Sequence, residues 1–307
     1  MTTSADPTPA GTPSAATRPA TTPVQVAVVG AGGKMGMRVS RNLARSAHTL
    51  RYAENSPAGK ERMAAEGREA VSTEEAVAGA DVVILAVPDT VLGLVSQSVV
   101  PQMKAGATLL TLDPAAAYAN LLTQRPDVLQ AVAHPCHPSV FLERTRPEEY
   151  ADNFGGEAAL QNVVAAFDNE QTPENAAARD VVEDVIRIMY GPVDEVHWVT
   201  VKQLAYLEPT LVETIACMIG ALLKEALHET VHTVGVPEAA AKAMLHGHVQ
   251  IALTNTLRGS NPFSDACLIA MDYGRESIVK DDWKKIFSDS ELDSVITKML
   301  KLDEIER

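Results

Sequence analysis

Short apolar runs alternate with helical segments along the first two thirds of the chain. The runs are rich in Val, Ile, Leu and Ala, and this pattern predicts strands that are mostly buried. Five of them lie at residues 24–29, 48–53, 81–87, 107–112 and 126–133, and one more strand is predicted at 162–167. Strands that alternate with helices predict a doubly wound parallel sheet, so the predicted fold class is α/β.

The pattern changes near residue 195, after which helical periodicity continues to the end of the chain. Residues 1–23 are rich in Pro, Thr, Ala and Ser and have almost no large apolar side chain, which predicts a disordered tail. We therefore expect a Rossmann-type dinucleotide domain at 24–195 and an all-helical substrate and dimerisation domain at 196–307. Apolar helices in a small second domain favour a homodimer.

The first strand runs into a glycine-rich turn, and a helical segment follows. This order leaves the first backbone N–H groups of the helix unpaired at the positive end of its dipole, which suits a pyrophosphate. Glycine is needed because a Cβ atom would hold the ligand away from the backbone. The spacing is GxxGxxG, and the predicted cofactor-binding residues are Gly30, Ala31, Gly32, Gly33, Lys34, Met35 and Gly36.

Glu54 ends the second predicted strand, about twenty residues after the glycines, where such units place an acid on a ribose diol. A carboxylate there repels a 2′-phosphate, so the sequence predicts NAD rather than NADP. Two alternatives stay open at this point. Glu54 could be an ordinary surface residue, and the sheet could be flavodoxin-like and hold another ligand.

Composition excludes several classes of protein. The chain has 307 residues and a net charge of −14, which argues against binding to nucleic acid or anionic membranes. Its three cysteines are far apart in the sequence, so a disulfide framework is not expected. The sequence contains neither a signal-peptide pattern nor an apolar run of about 18 residues, and we expect a cytoplasmic protein.

A histidine loop, HPCHPSVF, follows the strand predicted at 126–133. Its two prolines stiffen the backbone, so His134 and His137 are displayed near the carboxyl edge of the sheet, where ligands of such sheets bind. His134 is the candidate base or metal ligand. A simple packing role stays open for both histidines. Cys136 has no activating neighbour in the sequence and is expected to be a bystander.

Two residues of the helical half complete this candidate site. Pro209 indicates that a helix begins near Glu208, and a carboxylate there, facing a histidine, could bind a divalent metal or relay a proton. We therefore predict His134 and Glu208 as metal ligands and catalytic residues, with a capping role for Glu208 as the alternative. Lys202 is a further catalytic candidate, an acid or base whose pKa burial would have to lower.

Arg258 and Arg275 could bind a substrate carboxylate through paired hydrogen bonds, whereas Lys280 could equally be a surface charge. His228, Glu229 and His232 spell HExxH, the helical motif of zinc proteases. No third ligand is defined for it. A solvated helix face explains the motif as well, so a zinc hydrolase is a minor alternative.

The glycine turn, Glu54 and the helical second half resemble the superfamily of 3-hydroxyacid and 6-phosphogluconate dehydrogenases. The segments AHPCHPSVF, VKQLAYLEPTLVET and NPFSDACLIAMDYGRESIVKDDWKKIF are more similar to oxidoisomerases of a branched sugar acid within it. The resemblance covers everything after the tail. It implies oxidation of a CH–OH group with NAD, followed by a rearrangement of the carbon skeleton, with Gly30–Lys34 and Glu54 on NAD and with His134 and Glu208 flanking the substrate or a divalent ion.

One position departs from the superfamily pattern. Relatives that only transfer hydride use a lysine and an asparagine, and at the spacing where the asparagine should follow Lys202 this chain has Ala205. The simple lysine mechanism is therefore not expected. The alternatives are an NAD-dependent 3-hydroxyacid dehydrogenase acting on another small sugar acid, and a cofactor-binding sensor without catalysis.

Overall fold

The structure is a computed structural model that describes residues 22–167 and 172–306. The predicted disordered tail lies outside the described residues except for its last two. Within the described ranges, an α/β layer is followed by a set of helices. The predicted fold class is confirmed.

Seven strands form one sheet in the order β2-β1-β3-β4-β5-β6-β7. Their bounds are β1 Gln25–Val29, β2 Thr49–Ala53, β3 Val82–Leu85, β4 Thr108–Thr111, β5 Leu129–Pro135, β6 Gln161–Phe167 and β7 Val193–Val199. The first five strands are parallel, as predicted. Strand β6 pairs antiparallel with β5, and β7 pairs parallel with β6, so the last two strands run against the others. The sheet is therefore not parallel throughout.

The helices of the sheet layer cover both of its faces. They are α1 Lys34–Leu43, α2 Pro57–Ala65, α3 Thr73–Val77, α4 Leu92–Val99, α5 Ala115–Tyr118, α6 Pro147–Ala151 and α7 Pro173–Met189. Alternate side chains of β1 belong to two separate cores. Val26 and Val28 pack with α1 and α7, while Ala27 and Val29 pack with α3 and α4. This double burial explains why the central strands are apolar throughout.

The helical half begins directly after the sheet. Its elements are α8 Val201–Ala205, a π-helical segment Tyr206–Cys217, α9 Met218–His232, α10 Glu238–Leu257, α11 Asp265–Ile278, a 3-10 turn Trp283–Phe287 and α12 Asp289–Leu300. Strand β7 continues to Val199, whereas the domain boundary was predicted near residue 195, and that division stays a prediction. Helix α12 returns to the sheet layer, where Leu292 and Ile296 pack against Ala115 and Tyr118.

Helices α9, α10 and α11 are almost entirely exposed. No residue of α9 or α11 is buried, and α10 buries only Ala241. Many of the exposed side chains are large and apolar, for example Ile269 at 71% and Leu257 at 68% exposure. None of the helices in the described ranges combines the length and the apolar composition that a bilayer span requires.

Candidate active site

The glycine turn forms at the carboxyl end of β1. Gly30 has a φ of +80°, and a Cβ atom there would lie 2.6 Å from the carbonyl oxygen of Ala86. A Cβ atom on Gly36 would overlap the carbonyl oxygen of Gly30, so α1 can approach β1 only with glycine at that position. The backbone N–H groups of Gly30 and Ala31 both donate hydrogen bonds to the carbonyl oxygen of Ala53, and these bonds fix the turn against β2.

The first turn of α1 is open to an anion. Gly33 is the N-cap residue, no side chain caps the helix, and the first turn contains no acidic residue. The backbone N–H groups and the helix dipole are therefore available to a pyrophosphate. Lys34 and Met35, both predicted to contact the cofactor, also line the neighbouring cavity.

Glu54 directly follows β2 and lies beside the glycine turn. Its carboxylate oxygens accept hydrogen bonds from the backbone N–H groups of Gly32 at 2.9 Å and of Ser56 at 2.8 Å. Burial acts to raise the pKa of Glu54, but these hydrogen bonds outweigh it and hold the pKa below its ordinary value. The ionised carboxylate faces a cavity of about 160 Å³ that Gly30, Asn55 and Thr73 also line, a suitable site for an adenosine ribose.

A larger cavity of about 450 Å³ lies at the carboxyl ends of the parallel strands. Its walls come from the glycine turn, the ends of β3, β4 and β5, and the loop before β6. The lining residues are Gly33, Lys34, Met35, Ala86, Val87, Pro88, Asp89, Leu112, Asp113, His134, Pro135, His137, Phe154 and Tyr190. A nicotinamide and a small substrate would meet there, because ligands of open α/β sheets bind at this edge.

Asp113 and His134 line this cavity, and Glu208 lies beside them. One potential ligand atom from each residue lies within 4.8 Å of those of the other two. Asp113 follows β4, His134 is in β5, and Glu208 is in the π-helical segment, so the sheet edge and the helical half build this group together. We call Asp113, His134 and Glu208 the acid–histidine group. The sequence predicted His134 and Glu208 as a pair but not the contribution of Asp113.

His134 is held in one tautomer. Its Nδ1 lies 3.2 Å from the carbonyl oxygen of Leu112, and because a carbonyl can only accept, Nδ1 carries the hydrogen. The Nε2 lone pair is therefore free to bind a metal or a proton. Burial, aided by the neighbouring His137, lowers the pKa of His134 to about 4, although the hydrogen bond to Leu112 acts in the opposite direction. The ring is thus neutral at physiological pH, as a metal ligand must be.

Several carboxyl groups of this region are partly buried close to one another. Burial, followed by repulsion from Asp113 and Glu213, raises the pKa of Glu208 to about 9. Burial, followed by repulsion from Asp113, raises the pKa of Asp89 to about 6. Glu208 is 5% exposed, and its Oε2 has no hydrogen-bond partner in the described structure. A divalent cation would relieve both the repulsion and the unpaired oxygen.

The π-helical segment explains how two of these carboxylates come together. Its hydrogen bonds join residues five apart, which places Glu208 and Glu213 next to one another. Pro209 lies inside the segment, where it cannot donate a helical hydrogen bond, and the hydroxyl of Thr214 donates to its carbonyl oxygen at 2.7 Å. The sequence predicted a helix start at Pro209 instead, because proline is common in a first turn.

The cationic residues that the sequence predicted for the site lie away from the cavity at the strand ends. The ammonium group of Lys202 pairs with Asp289 at 2.7 Å and is about half exposed. Arg258 stacks on the ring of Phe141 at 4.6 Å, and Arg275 is exposed on α11. None of these cations lines the cavity at the strand ends. Lys280 is an exposed residue, in agreement with the surface alternative.

The HExxH motif lies on the exposed helix α9. The rings of His228 and His232 are 4.4 Å apart, and the carboxylate of Glu229 accepts a hydrogen bond from Thr233. Within residues 22–167 and 172–306, the acid–histidine group is the one set of three side chains placed to share a metal. The motif therefore has no third ligand there.

Cys136, Cys217 and Cys267 are all free, and burial raises the pKa of the Cys136 thiol, which does not suit a nucleophile.

The fold and the site together define a Rossmann-type, nicotinamide-dependent oxidoreductase. Residues 25–121 match the family of the NAD binding domain of 6-phosphogluconate dehydrogenase, and residues 142–300 match the family of the phosphogluconate dehydrogenase (decarboxylating) C-terminal domain. The chain therefore belongs to the 6-phosphogluconate dehydrogenase family, and residues 25–121 belong to its NAD-binding domain. Both the predicted superfamily and the predicted cofactor are confirmed.

Individual proteins are also similar to this chain over most of its length. The chain is 61% identical to a D-apionate oxidoisomerase from Pectobacterium atrosepticum over 92% of this chain and 98% of that protein. It is 42% identical to a D-apionate oxidoisomerase from Cupriavidus necator over 90% and 99% of the two chains. A crystal structure from Cupriavidus necator, described as a semialdehyde dehydrogenase NAD-binding protein in complex with calcium and NAD, superposes with a TM-score of 0.85. It is 41% identical and covers 91% of this chain and 100% of its own.

Proposed function

We propose that the protein is an NAD-dependent oxidoisomerase that converts D-apionate, a branched sugar acid, into 3-oxo-isoapionate. One observation carries the proposal. The glycine turn and two members of the acid–histidine group, Asp113 and His134, line the same cavity, so the hydride acceptor and a candidate cation site would lie side by side. The names of relatives that match over nearly their full lengths agree with this substrate.

The reaction consists of two steps at adjacent carbons. In the first, the carbon next to the carboxylate loses a hydride to NAD and its hydroxyl loses a proton, which gives a 2-oxo acid beside a tertiary alcohol. In the second, a hydroxymethyl group migrates from the carbinol carbon to the carbonyl carbon. The tertiary hydroxyl loses its proton, and the former carbonyl oxygen gains one. The product is a 3-oxo acid, and each step needs a proton acceptor and stabilised oxygens.

The glycine turn, Lys34 and Glu54 are proposed to hold NAD. The N–H groups at the start of α1 would bind the pyrophosphate, and Glu54 would accept hydrogen bonds from the ribose hydroxyls. Among the side chains that line the larger cavity, Lys34 carries the only full positive charge. Its ammonium is therefore available to the cofactor phosphates or to the substrate carboxylate. NAD bound in this way would bring its nicotinamide to the cavity that His134 and Asp113 line.

The acid–histidine group fits a divalent cation. It combines carboxylate oxygens with a neutral imidazole, one of its oxygens is buried without a partner, and its carboxylates repel one another. Asp113, His134 and Glu208 would hold the ion. A bound divalent ion would polarise the two substrate oxygens and favour the rearrangement. The ammonium group of Lys202 forms an ion pair with Asp289 at the surface, so the proposed mechanism does not use Lys202.

Product analysis tests this function. Purified protein is incubated with D-apionate and NAD, NADH is followed by absorbance, and the product is identified by carbon NMR. We expect one NADH for each molecule of the rearranged 3-oxo acid, and loss of turnover after chelation that returns with a divalent metal. Accumulation of an unrearranged 2-oxo acid would instead support the simple dehydrogenase. Absence of NADH formation would contradict both.

Substitutions test the site. His134→Asn, Asp113→Asn and Glu208→Gln should each reduce turnover on the order of a hundredfold or more, because each removes a positioned acid, base or ligand. NADH affinity should be retained, since the glycine turn and Glu54 are unchanged. His228→Asn is the matched control and should turn over normally. If the control were inactive and the other variants active, the site assignment would be wrong.

The helical half supports a homodimer in this proposal. Large apolar side chains on α9, α10 and α11, including Met244 at 64% and Tyr273 at 71% exposure, would remain in water in a monomer. A second copy of the same helices is the partner that a symmetric oligomer provides. Sedimentation velocity would measure the mass, and a monomer at micromolar concentration would contradict the proposal.

Three free cysteines support a reducing cytosol as the site of action.

A further inference from the structure

We propose that His137 accepts the proton of the substrate hydroxyl as hydride leaves for NAD. The inference rests on the proposed function and adds the residue that this function leaves unassigned. His137 lines the same cavity as His134, and their rings are 6.4 Å apart in an edge-on arrangement. It is not part of the acid–histidine group, so a role outside metal binding is open to it.

The hydrogen bonding of His137 exposes a proton-accepting nitrogen. Its Nδ1 lies 2.7 Å from the carbonyl oxygen of Phe154. Because a carbonyl oxygen only accepts, Nδ1 carries a hydrogen, which leaves Nε2 as the nitrogen that can accept a proton. No residue of the described chain is hydrogen-bonded to that nitrogen, and the side chain is only partly buried. A substrate hydroxyl in the cavity could therefore donate to it.

The backbone at His137 is held in an uncommon conformation. Its φ is +60°, in the left-handed region that residues with a Cβ atom rarely adopt. The surrounding contacts hold it there. The ring packs on Phe154 at 4.4 Å, the guanidinium of Arg38 lies 4.3 Å from the centre of the Phe154 ring, and Arg38 pairs with Asp152 at 3.8 Å. A chain of contacts that fixes one imidazole beside a cavity indicates a positioned functional group.

Most other candidates around the cavity are already engaged. The Nδ1 of His134 faces Leu112, and its second nitrogen belongs to the acid–histidine group. The Tyr190 hydroxyl is buried and donates to the carbonyl oxygen of Ala133 at 3.0 Å. Lys34 as an ammonium has no lone pair. Asp89 is the remaining competitor, because it is a carboxyl group on the cavity wall.

The step balances without a further reactant. The hydroxyl proton moves to Nε2 of His137, the C–H bond breaks as hydride moves to the nicotinamide ring, and a C=O bond forms. The products are a 2-oxo acid, NADH and an imidazolium. That imidazolium could then return its proton to the oxygen that needs one during the rearrangement.

The experiment replaces His137 by residues that tolerate its backbone. Asparagine and glycine both accept positive φ, so His137→Asn and His137→Gly should fold. We expect a loss of kcat on the order of a hundredfold or more in both variants, with melting temperature and NADH affinity unchanged. Added imidazole should restore part of the turnover of His137→Gly, because it can enter the space left by the side chain and accept the proton. A purely structural role would not give this rescue.

Two controls make the outcomes distinct. His197→Asn removes a histidine that does not line this cavity, and it should leave kcat unchanged. Asp89→Asn tests the competing base. Turnover of D-apionate by His137→Asn within about threefold of the parent rate, an inactive His137→Gly that imidazole does not rescue, or loss of melting temperature together with activity would each overturn the inference. Absence of NADH formation by the parent enzyme would overturn the proposed function as well.

Discussion

Glu208→Gln in the metal-free protein should raise stability while it removes activity. The ordinary pKa of the glutamate is 4.5, and in the folded chain burial with repulsion from Asp113 and Glu213 raises it to about 9. Between these pH values the folded chain holds a proton that the unfolded chain has lost. Stability from this group is therefore fully present below pH 4.5 and is lost as the pH rises toward 9.

The size of the effect follows from this proton linkage. At about 1.36 kcal/mol per pH unit, raising the pH from 4.5 to 7 lowers the free energy of unfolding by about 3 kcal/mol. Coupling to the neighbouring carboxyls and partial solvent screening reduce the expected value to about 2 kcal/mol. Glutamine mimics the protonated acid at every pH, so Glu208→Gln should melt about 4 °C higher than the parent protein at pH 7.

The assay is thermal unfolding after chelation, at several pH values from 5 to 8. The measured quantity is the difference between the two proteins, which should widen as the pH rises. Added divalent cation should stabilise the parent protein and have little effect on the variant. Glu229→Gln, an exposed glutamate on α9, is the control and should show no widening difference. A variant that is less stable than the parent, or a difference that does not depend on pH, would refute the argument.

Three further predictions concern the cofactor and the surface. The parent protein should bind NADH far better than NADPH in calorimetric titrations, and equal affinities would contradict this prediction. Glu54→Gln should reduce the preference for NADH on the order of tenfold, because it removes a charge that repels the 2′-phosphate. Gly36→Ala should weaken NADH binding at least tenfold and lower the melting temperature, because the new Cβ would overlap the carbonyl oxygen of Gly30. If the variant bound NADH as tightly as the parent protein, the backbone of the turn would have moved to accommodate the Cβ. Lys202→Met should keep kcat within a few fold, because the ammonium is paired with Asp289, whereas a large loss would restore the lysine to the mechanism.

The elements with local signals were predictable from the sequence. The glycine turn follows from four glycines after a β-branched run, and the central strands follow from uninterrupted apolar runs such as Val82–Leu85. The direction of β6 was not predictable, because one apolar run looks the same in a parallel and an antiparallel strand. The start of α2 at Pro57 also has a local signal, since Ser56 caps the helix and accepts a hydrogen bond from the N–H of Gly59.

The candidate site was only half predictable, for a reason of geometry. His134 stood out because prolines surround it. Asp113 precedes Pro114, a pattern typical of a helix start, and its side chain accepts a hydrogen bond from the N–H of Ala115. That local role concealed its proximity to His134 and Glu208, which only the sheet order and the return of the helical half produce. The rule that could have identified it is that residues just after parallel strands share one edge of the sheet.

Three departures from local rules lie at or beside the acid–histidine group and its cavity. A π-helical segment brings two carboxylates together, a histidine adopts a positive φ, and a buried carboxylate oxygen has no hydrogen-bond partner among the described residues. Each lowers stability by itself, and a core selected only for stability would place apolar side chains there. All three fit if the cavity must bind a cation and hold one neutral imidazole beside it. The cost in stability and the catalytic role would then have the same origin, so substitutions that relieve the strain or the repulsion should stabilise the protein and reduce turnover together.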